Sequence, residues 1–378
     1  MKVLFLDQSG PLGGAELFLL DIARSYRDSC LVGLFADGSF KEALEQQGTD
    51  VCVLSSQAIQ VRKDSNLMQA SRSIGQLVPL ILKVAQLSHQ YELIYANTQK
   101  ALVVGALASL LSRRPLVYHL HDILSPEHFS TNNLYLAVTL ANRFASRVFA
   151  TSVAAKNAFI AAGGRSHLVE VVYNGFEISR YQNLAARSGE IRQQLNLGDA
   201  FVVGHFSRLS PWKGQHILIE ALIDCPENVM AVFVGDALFG EQDYIKSLHE
   251  QVAQLELEDR VRFLGFRSEV PQLMAACDLV THTSIAPEPF GRVIAEAMLC
   301  GVPVIAAKAG GAVELIEEGR TGWLFPSGDA KQLATVIQQC QSQPAQIAAI
   351  AQCAQAEASQ RFNITTISEL IDQLLHQI

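Results

Sequence analysis

The chain has 378 residues, 49% of them hydrophobic, and a formal net charge of −8. Its length exceeds what one hydrophobic core supports, so two domains are expected. The negative balance argues against nucleic acid as the main partner, and a phosphorylated ligand would need local basic residues instead of a global field.

The chain opens on a strand, Lys2–Asp7, without a signal-peptide pattern. A glycine-rich turn follows, with Gly10, Gly13 and Gly14 ahead of Glu16. Turns of this kind before a helix are where backbone N–H groups cradle phosphate, although the spacing is not the GxGxxG of a dinucleotide fold. Asp37, after the second strand, stands where a ribose-binding acid would fall and keeps that reading open. Further strands are expected at Leu31–Ala36, Val51–Ser55, Leu93–Asn97, Leu116–His121, Val148–Ser152 and Val169–Tyr173, with helical stretches between most of them.

Within residues 57–91, Arg62, Lys63, Arg72 and Lys83 accompany the single acid Asp64 and the apolar run Leu77–Leu82. That pattern suits an anionic lipid-linked acceptor or a membrane surface, and equally ordinary surface helices. The longest uncharged apolar run, residues 101–111, is too short to span a bilayer and reads as a buried helix. Asn97 and Lys100 follow a strand end and could reach a cleft there, or serve as a helix cap and a solvated lysine. His119 and His121 alternate and so share one strand face. His121 lies nearer the end, where a site would form, and His119 reads as a core histidine.

Residues 174–200 are polar and contain the expected linker. A second alternating series begins at Phe201, with strands Phe201–Ser207, Met230–Val234, Val261–Leu264, Leu279–Thr283, Val304–Ala307 and Trp323–Phe325. A final helix near residues 364–378 carries one apolar stripe, from Ile367 to Leu375. Two doubly wound parallel-sheet domains are therefore expected to face each other, with ligand at the carboxyl ends of the strands in the cleft between them. Cys52, Cys277 and Cys300 stand in apolar stretches and read as small core residues of a reducing cytoplasm; the absence of a CxxC pair argues against zinc.

Two stretches carry chemistry. In HFSRLSPWKGQ, Arg208 and Lys213 occupy a Pro/Gly loop that follows a strand and reads as exposed; a diphosphate would satisfy both cations. In EPFGRVIAEAMLCGVPVIA, Glu288 precedes a helix N-terminus and Glu296 lies within the helix, with seven residues between them. Such a helix end attracts anions. His205 and His282, in apolar strands, read as structural.

The GGAE turn, the SRLSPWKG loop, the EPFG…E pattern and the helix-ending GVPVIA occur in this order and together resemble the retaining GT-B glycosyltransferases of family 4. The resemblance covers nearly the whole chain. It implies a GT-B fold with an acceptor-side domain over 1–180, a nucleotide-sugar domain over 181–358 and a terminal helix, 359–378, crossing back to the first domain. It implies a donor such as UDP-glucose and a glycan or lipid-linked acceptor in polysaccharide biosynthesis.

On these positions, the resemblance has Arg208 and Lys213 hold the donor diphosphate, Glu296 the ribose hydroxyls and Glu288 the transferred sugar. Phe290, Gly291 and Arg292 offer backbone N–H groups, with Pro289 and Val293 beside them. Gly265, Phe266 and Arg267 flank the base. Gly13 and Gly14 approach the phosphate, and His121 the reacting sugar. Neither metal nor cofactor is expected, since the two cations supply the positive charge and no DxD motif is present. The expected location is cytoplasmic, with peripheral membrane contact as an extension. The competing readings are a non-hydrolysing sugar-nucleotide epimerase of the same fold, a dinucleotide-dependent oxidoreductase and a non-enzymatic sugar-binding protein.

Overall fold

The structure is a computed structural model and describes residues 1–8, 10–55, 67–237 and 240–378, with the side chains of 67–76 and 185 outside the description. Arg62, Lys63 and Asp64 therefore lie outside the described residues. By its internal contacts the chain divides into two units, Met1–Phe176 with Ile364–Ile378, and Glu177–Asn363.

The first unit runs β1 (Val3–Asp7), α1 (Gly14–Ser25), β2 (Cys30–Leu34), α2 (Ser39–Gln46), β3 (Val51–Val53), α3 (Leu67–Ser88), β4 (Leu93–Ala96), α4 (Gln99–Ser112), β5 (Leu116–Leu120), α5 (Thr131–Phe144), β6 (Ala145–Ala150), α6 (Val153–Ala161) and β7 (Val169–Val171). Its sheet is parallel in the order β3-β2-β1-β4-β5-β6-β7. The order reverses between β1 and β4, so a crevice opens beyond the carboxyl ends of those strands.

Side-chain alternation assigns two cores, one on each face of the sheet. Leu4 and Leu6 of β1 join α3–α6, while Val3 and Phe5 join α1 and α2. The second core also takes Ile367, Ile371 and Leu375 from the terminal helix. Tyr26 Oη donates to Asp372 (3.2 Å), and the Ile364 amide donates to the Phe176 carbonyl (3.0 Å).

The second unit runs α7 (Ala185–Gln194), β8 (Phe201–Phe206), α8 (Gln215–Ala221), β9 (Val229–Val234), α9 (Gln242–Gln254), β10 (Val261–Phe263), α10 (Val270–Ala275), β11 (Leu279–His282), α11 (Arg292–Leu299), β12 (Val304–Ala307), α12 (Ala312–Leu315), β13 (Trp323–Phe325), α13 (Ala330–Ser342) and α14 (Pro344–Arg361). The terminal α15 (Ile364–Leu375) then returns the chain to the first unit. The second sheet is also parallel, in the order β10-β9-β8-β11-β12-β13, and reverses between β8 and β11.

Two expectations about burial need correction. The run 101–111 is not wholly buried: Leu110 and Leu111 are 62% and 55% exposed on α4. Apolarity all round the helix conceals which side the sheet covers. Cys52, Cys277 and Cys300 are only partly buried, and Cys30, Cys225 and Cys340 are the buried thiols.

Candidate active site

In the second unit, the loop after β8 turns back sharply before α8. Gly214 closes it at φ 70°, and a Cβ there would meet the Thr283 carbonyl oxygen at 2.1 Å. Only glycine combines that angle with that approach. Thr283, immediately after β11, donates to the carbonyls of Lys213 (3.0 Å) and Gly214 (2.8 Å). Gln215 Nε2 fastens the other limb, donating to the Arg208 carbonyl at 2.9 Å. The loop is thus held by the end of the neighbouring strand across the switch point.

This anchoring brings Lys213 to Glu288. Their side chains are 17% and 8% exposed and form a direct ion pair. Lys213 is therefore mostly buried and not exposed as its loop position suggests, because Trp212, with its ring 4.1 Å from Nζ, and Glu288 cover it. Glu288 Oε1 also accepts from Ser284 Oγ (2.9 Å) and lies 3.2 Å from His282 Nε2. His282, read as structural, accordingly belongs to this cluster; the apolar strand around it hid that, as the last residue of β11, it reaches Glu288. Burial pushes the Glu288 carboxyl up, but Lys213 and the His282 hydrogen bond outweigh it and hold the group well below the usual carboxylate range. Burial above all, then the neighbouring His282 and Lys213, pushes His205 down to about 3, so it is neutral and bonds Thr283 Oγ1 at 2.9 Å.

Arg208 lies 3.6 Å from Glu241, which also accepts from Ser210 Oγ at 2.6 Å. Each cation assigned to a diphosphate thus faces a carboxylate of its own unit. Gly291 caps α11 at φ 92°, Arg292 and Glu296 stand one turn apart with 3.5 Å between charged atoms, and the Phe290 ring is buried against Phe362. Pro289 and Val293 are partly buried beside them. Gly265, just beyond β10, has φ 67° and accepts from the Gly235 amide at 2.9 Å; Phe266 next to it is 79% exposed, and Arg267 pairs with Glu269 at 3.6 Å.

Sequence reasoning passed over Glu241, Gly235 and the pair Gly310–Gly311. The Gly311 amide donates to the Glu288 carbonyl at 2.7 Å. A double glycine two residues after a strand was the available signal.

In the first unit, Gly13 precedes α1 and Gly14 is its first residue. Asn97 is fully buried and does not cap the helix; Thr98 caps α4. Asn97 Nδ2 donates to Asp7 Oδ2 (2.7 Å) and to the Ala15 carbonyl (3.2 Å), and its Oδ1 lies 2.9 Å from His121 Nε2. A carboxamide can serve both neighbours because it donates at one end and accepts at the other. His121 stacks on the buried His119 with 4.1 Å between ring centroids, as the alternation predicts, and His119 Nδ1 meets Tyr95 Oη at 2.6 Å. Lys100 is exposed in the first turn of α4. Asp37 caps its own turn and pairs with Lys41 at 3.5 Å.

Asn97→Asp sets a second carboxylate against buried Asp7. Melting temperature is expected to fall at pH 8 by the equivalent of about 2 kcal/mol and to recover toward pH 5 as one carboxyl takes up a proton. Equal losses at both values would count against this network.

Two parallel sheets, each with polar clusters at the carboxyl ends of its strands, define the two-domain α/β architecture of the GT-B fold. The model for glycosyl transferases group 1 matches residues 188–357, and that for glycosyltransferase family 4 matches residues 12–180. The chain belongs to the family 4, group 1 type GT-B glycosyltransferases. The crystal structure of HepE from Anabaena in complex with UDP-glucose is 60% identical, covers 100% of both chains and superposes with a TM-score of 0.93. Spore coat protein SA of Bacillus subtilis is 36% identical over 169 residues, 41% of this chain and 44% of the relative. A capsular polysaccharide biosynthesis glycosyltransferase of Staphylococcus aureus, CapM, is 25% identical over 79% of this chain and 82% of the relative. The chain spans about half the length or less of several curated relatives it matches, 44% and 53% for two of them.

Proposed function

We propose that the protein moves a hexosyl group from a UDP-hexose, most simply UDP-glucose, to a glycan or lipid-linked acceptor in polysaccharide biosynthesis, with retention of anomeric configuration. The carrying observation is the full-length, 60%-identical relative crystallised with UDP-glucose. The Lys213–Glu288 cluster supports it: a fixed ammonium beside an ionised carboxylate is suited to a leaving diphosphate and a sugar hydroxyl.

In this reading Lys213 and Arg208 stabilise the charge that grows on the β-phosphate as its bond to the sugar C1 breaks. Glu296 binds ribose, Glu288 the sugar, and Gly265–Arg267 the base. The acceptor oxygen bonds C1 on the face the phosphate leaves, and its proton passes to that phosphate. His121 orients the sugar. In this reading the cations Arg208 and Lys213 do the work a divalent metal does elsewhere.

Mass spectrometry after incubation with a panel of nucleotide sugars tests the donor. Consumption of UDP-glucose, by slow hydrolysis or by transfer to added acceptor, is expected; consumption of none of the panel would overturn the reading. Metal independence is tested separately. UDP binding in a calorimeter is expected to persist in EDTA, and affinity that vanished with chelator and returned with magnesium would refute it.

A further inference from the structure

Every side-chain donor that the described residues bring to the Glu288 carboxylate meets the same oxygen. Lys213 Nζ, Ser284 Oγ and His282 Nε2 all address Oε1, the last two at 2.9 and 3.2 Å. An ionised carboxylate has acceptor sites on both oxygens. Oε2 therefore keeps its acceptor capacity on a residue that is only 6% exposed. A buried acceptor of this kind suits a ligand that brings its own hydroxyl donors.

The proton positions follow from the same geometry. Ser284 has one hydroxyl proton, and it goes to Oε1, because an ionised carboxylate only accepts. Toward His282 Nε2, 3.2 Å away, Ser284 Oγ must then accept. His282 Nε2 accordingly carries a proton and shares it between Oε1 and Oγ. Its Nδ1 is buried with no hydrogen-bond partner among the described residues, so the ring acts on the cluster through Nε2 alone.

The backbone holds these groups in place. His282 is the last residue of β11, and the Ser284 carbonyl accepts from Ser327 Oγ at 3.2 Å. Glu288 stands between Pro287 and Pro289, which narrow its backbone freedom. Lys213 is a different kind of anchor. In the function proposed above its ammonium turns to the leaving diphosphate, and a carboxylate tied to Lys213 alone would be released at that moment.

We propose that His282 and Ser284 are positioning residues: they hold Glu288 Oε1 independently of Lys213 and so keep Oε2 available to the hydroxyls of the transferred sugar. This rests on the assignment of Glu288 to the sugar, and the experiment separates the two claims.

The test is calorimetry of UDP and of UDP-glucose on the full chain. The ratio of the two affinities measures what the sugar contributes. His282→Leu and Ser284→Ala are each expected to lower UDP-glucose affinity about tenfold relative to UDP, while UDP binds as before and so reports a folded site. His282→Gln, whose amide can donate where Nε2 does, is expected to restore most of the ratio. Glu288→Ala should remove the sugar's contribution altogether. If Glu288→Ala leaves the ratio unchanged, the sugar assignment fails and takes the inference with it. If Glu288→Ala lowers the ratio but neither His282→Leu nor Ser284→Ala does, the sugar assignment stands and the inference is overturned. Equal loss of UDP and UDP-glucose affinity, or His282→Gln as weak as His282→Leu, would mean a merely structural role and would also overturn it.

Discussion

Lys213→Ala is expected to lower kcat by about 100- to 1000-fold, with a smaller change in donor KM, because its ammonium opposes charge that grows only as the sugar–phosphate bond lengthens. The variant should also lose stability. Lys213 is the partner of a carboxylate with only 8% of its side chain exposed, and its removal leaves that charge buried beside His282 and Ser284. Breaking such a pair costs about 3–5 kcal/mol. Steady-state kinetics and thermal melting read the two effects separately; near-normal kcat in a folded variant would remove Lys213 from the catalytic assignment.

The pH dependence of that loss follows from the sign of the Glu288 shift. In the intact protein its folded pKa lies below its unfolded value, so the ionised group contributes stability that is present above the unfolded value and lost as pH falls through the folded one. Without Lys213, burial still raises the carboxyl and only the contact with His282 lowers it, so the folded value is expected to rise above the unfolded one. The variant's Glu288 then contributes stability below the unfolded value and loses it as pH rises. The melting-temperature gap between wild type and variant should therefore widen from about pH 5 to about pH 8. A gap independent of pH would show that the pair does not control the ionisation of Glu288.

The alternating strands and the EPFG…E segment were legible because their signals are local: buried apolar runs bounded by Pro289, Gly291, Gly301 and Pro303, and a helical spacing that carries Glu296. What remained illegible depends on groups distant in the chain. Nothing about Glu241, at the start of an ordinary amphipathic helix, announces that it accepts from Ser210, 31 residues away. His282 looks like core because period-two burial cannot distinguish a strand's last residue from its middle. Asn97 looked like a cap because the strand end and helix start meet there; that its amide lies between Asp7 and His121 follows only from the order β1-β4-β5. Leu110 and Leu111 looked buried because hydrophobicity does not say which side of a helix is covered.

The double glycine after β12 carries the other large expected effect. Gly310 adopts φ 58°, and a Cβ there would lie 2.3 Å from the Glu288 carbonyl oxygen and 2.6 Å from its nitrogen. Both are backbone atoms, so no rotamer change relieves the clash. The left-handed angle alone costs alanine about 1 kcal/mol. The remaining relief must come from moving either the Gly310 turn or the Glu288 backbone. Glu288 is held from the other side by Lys213, Ser284 and His282, and the amide of Gly311 already bonds its carbonyl at 2.7 Å. Any shift therefore spreads into the cluster and into Gly291 at the head of α11. Gly310→Ala is expected to lower stability by about 2–4 kcal/mol and to reduce turnover about 100-fold or more. A steric cause predicts that Gly310→Ser does at least as badly. Gly319, with φ 72° and no atom within 4 Å of an added Cβ, supplies the control: Gly319→Ala pays for the backbone angle alone and should keep its activity. Equal kinetics in Gly310→Ala and Gly319→Ala would mean that the close approach at Glu288 has no part in positioning the site.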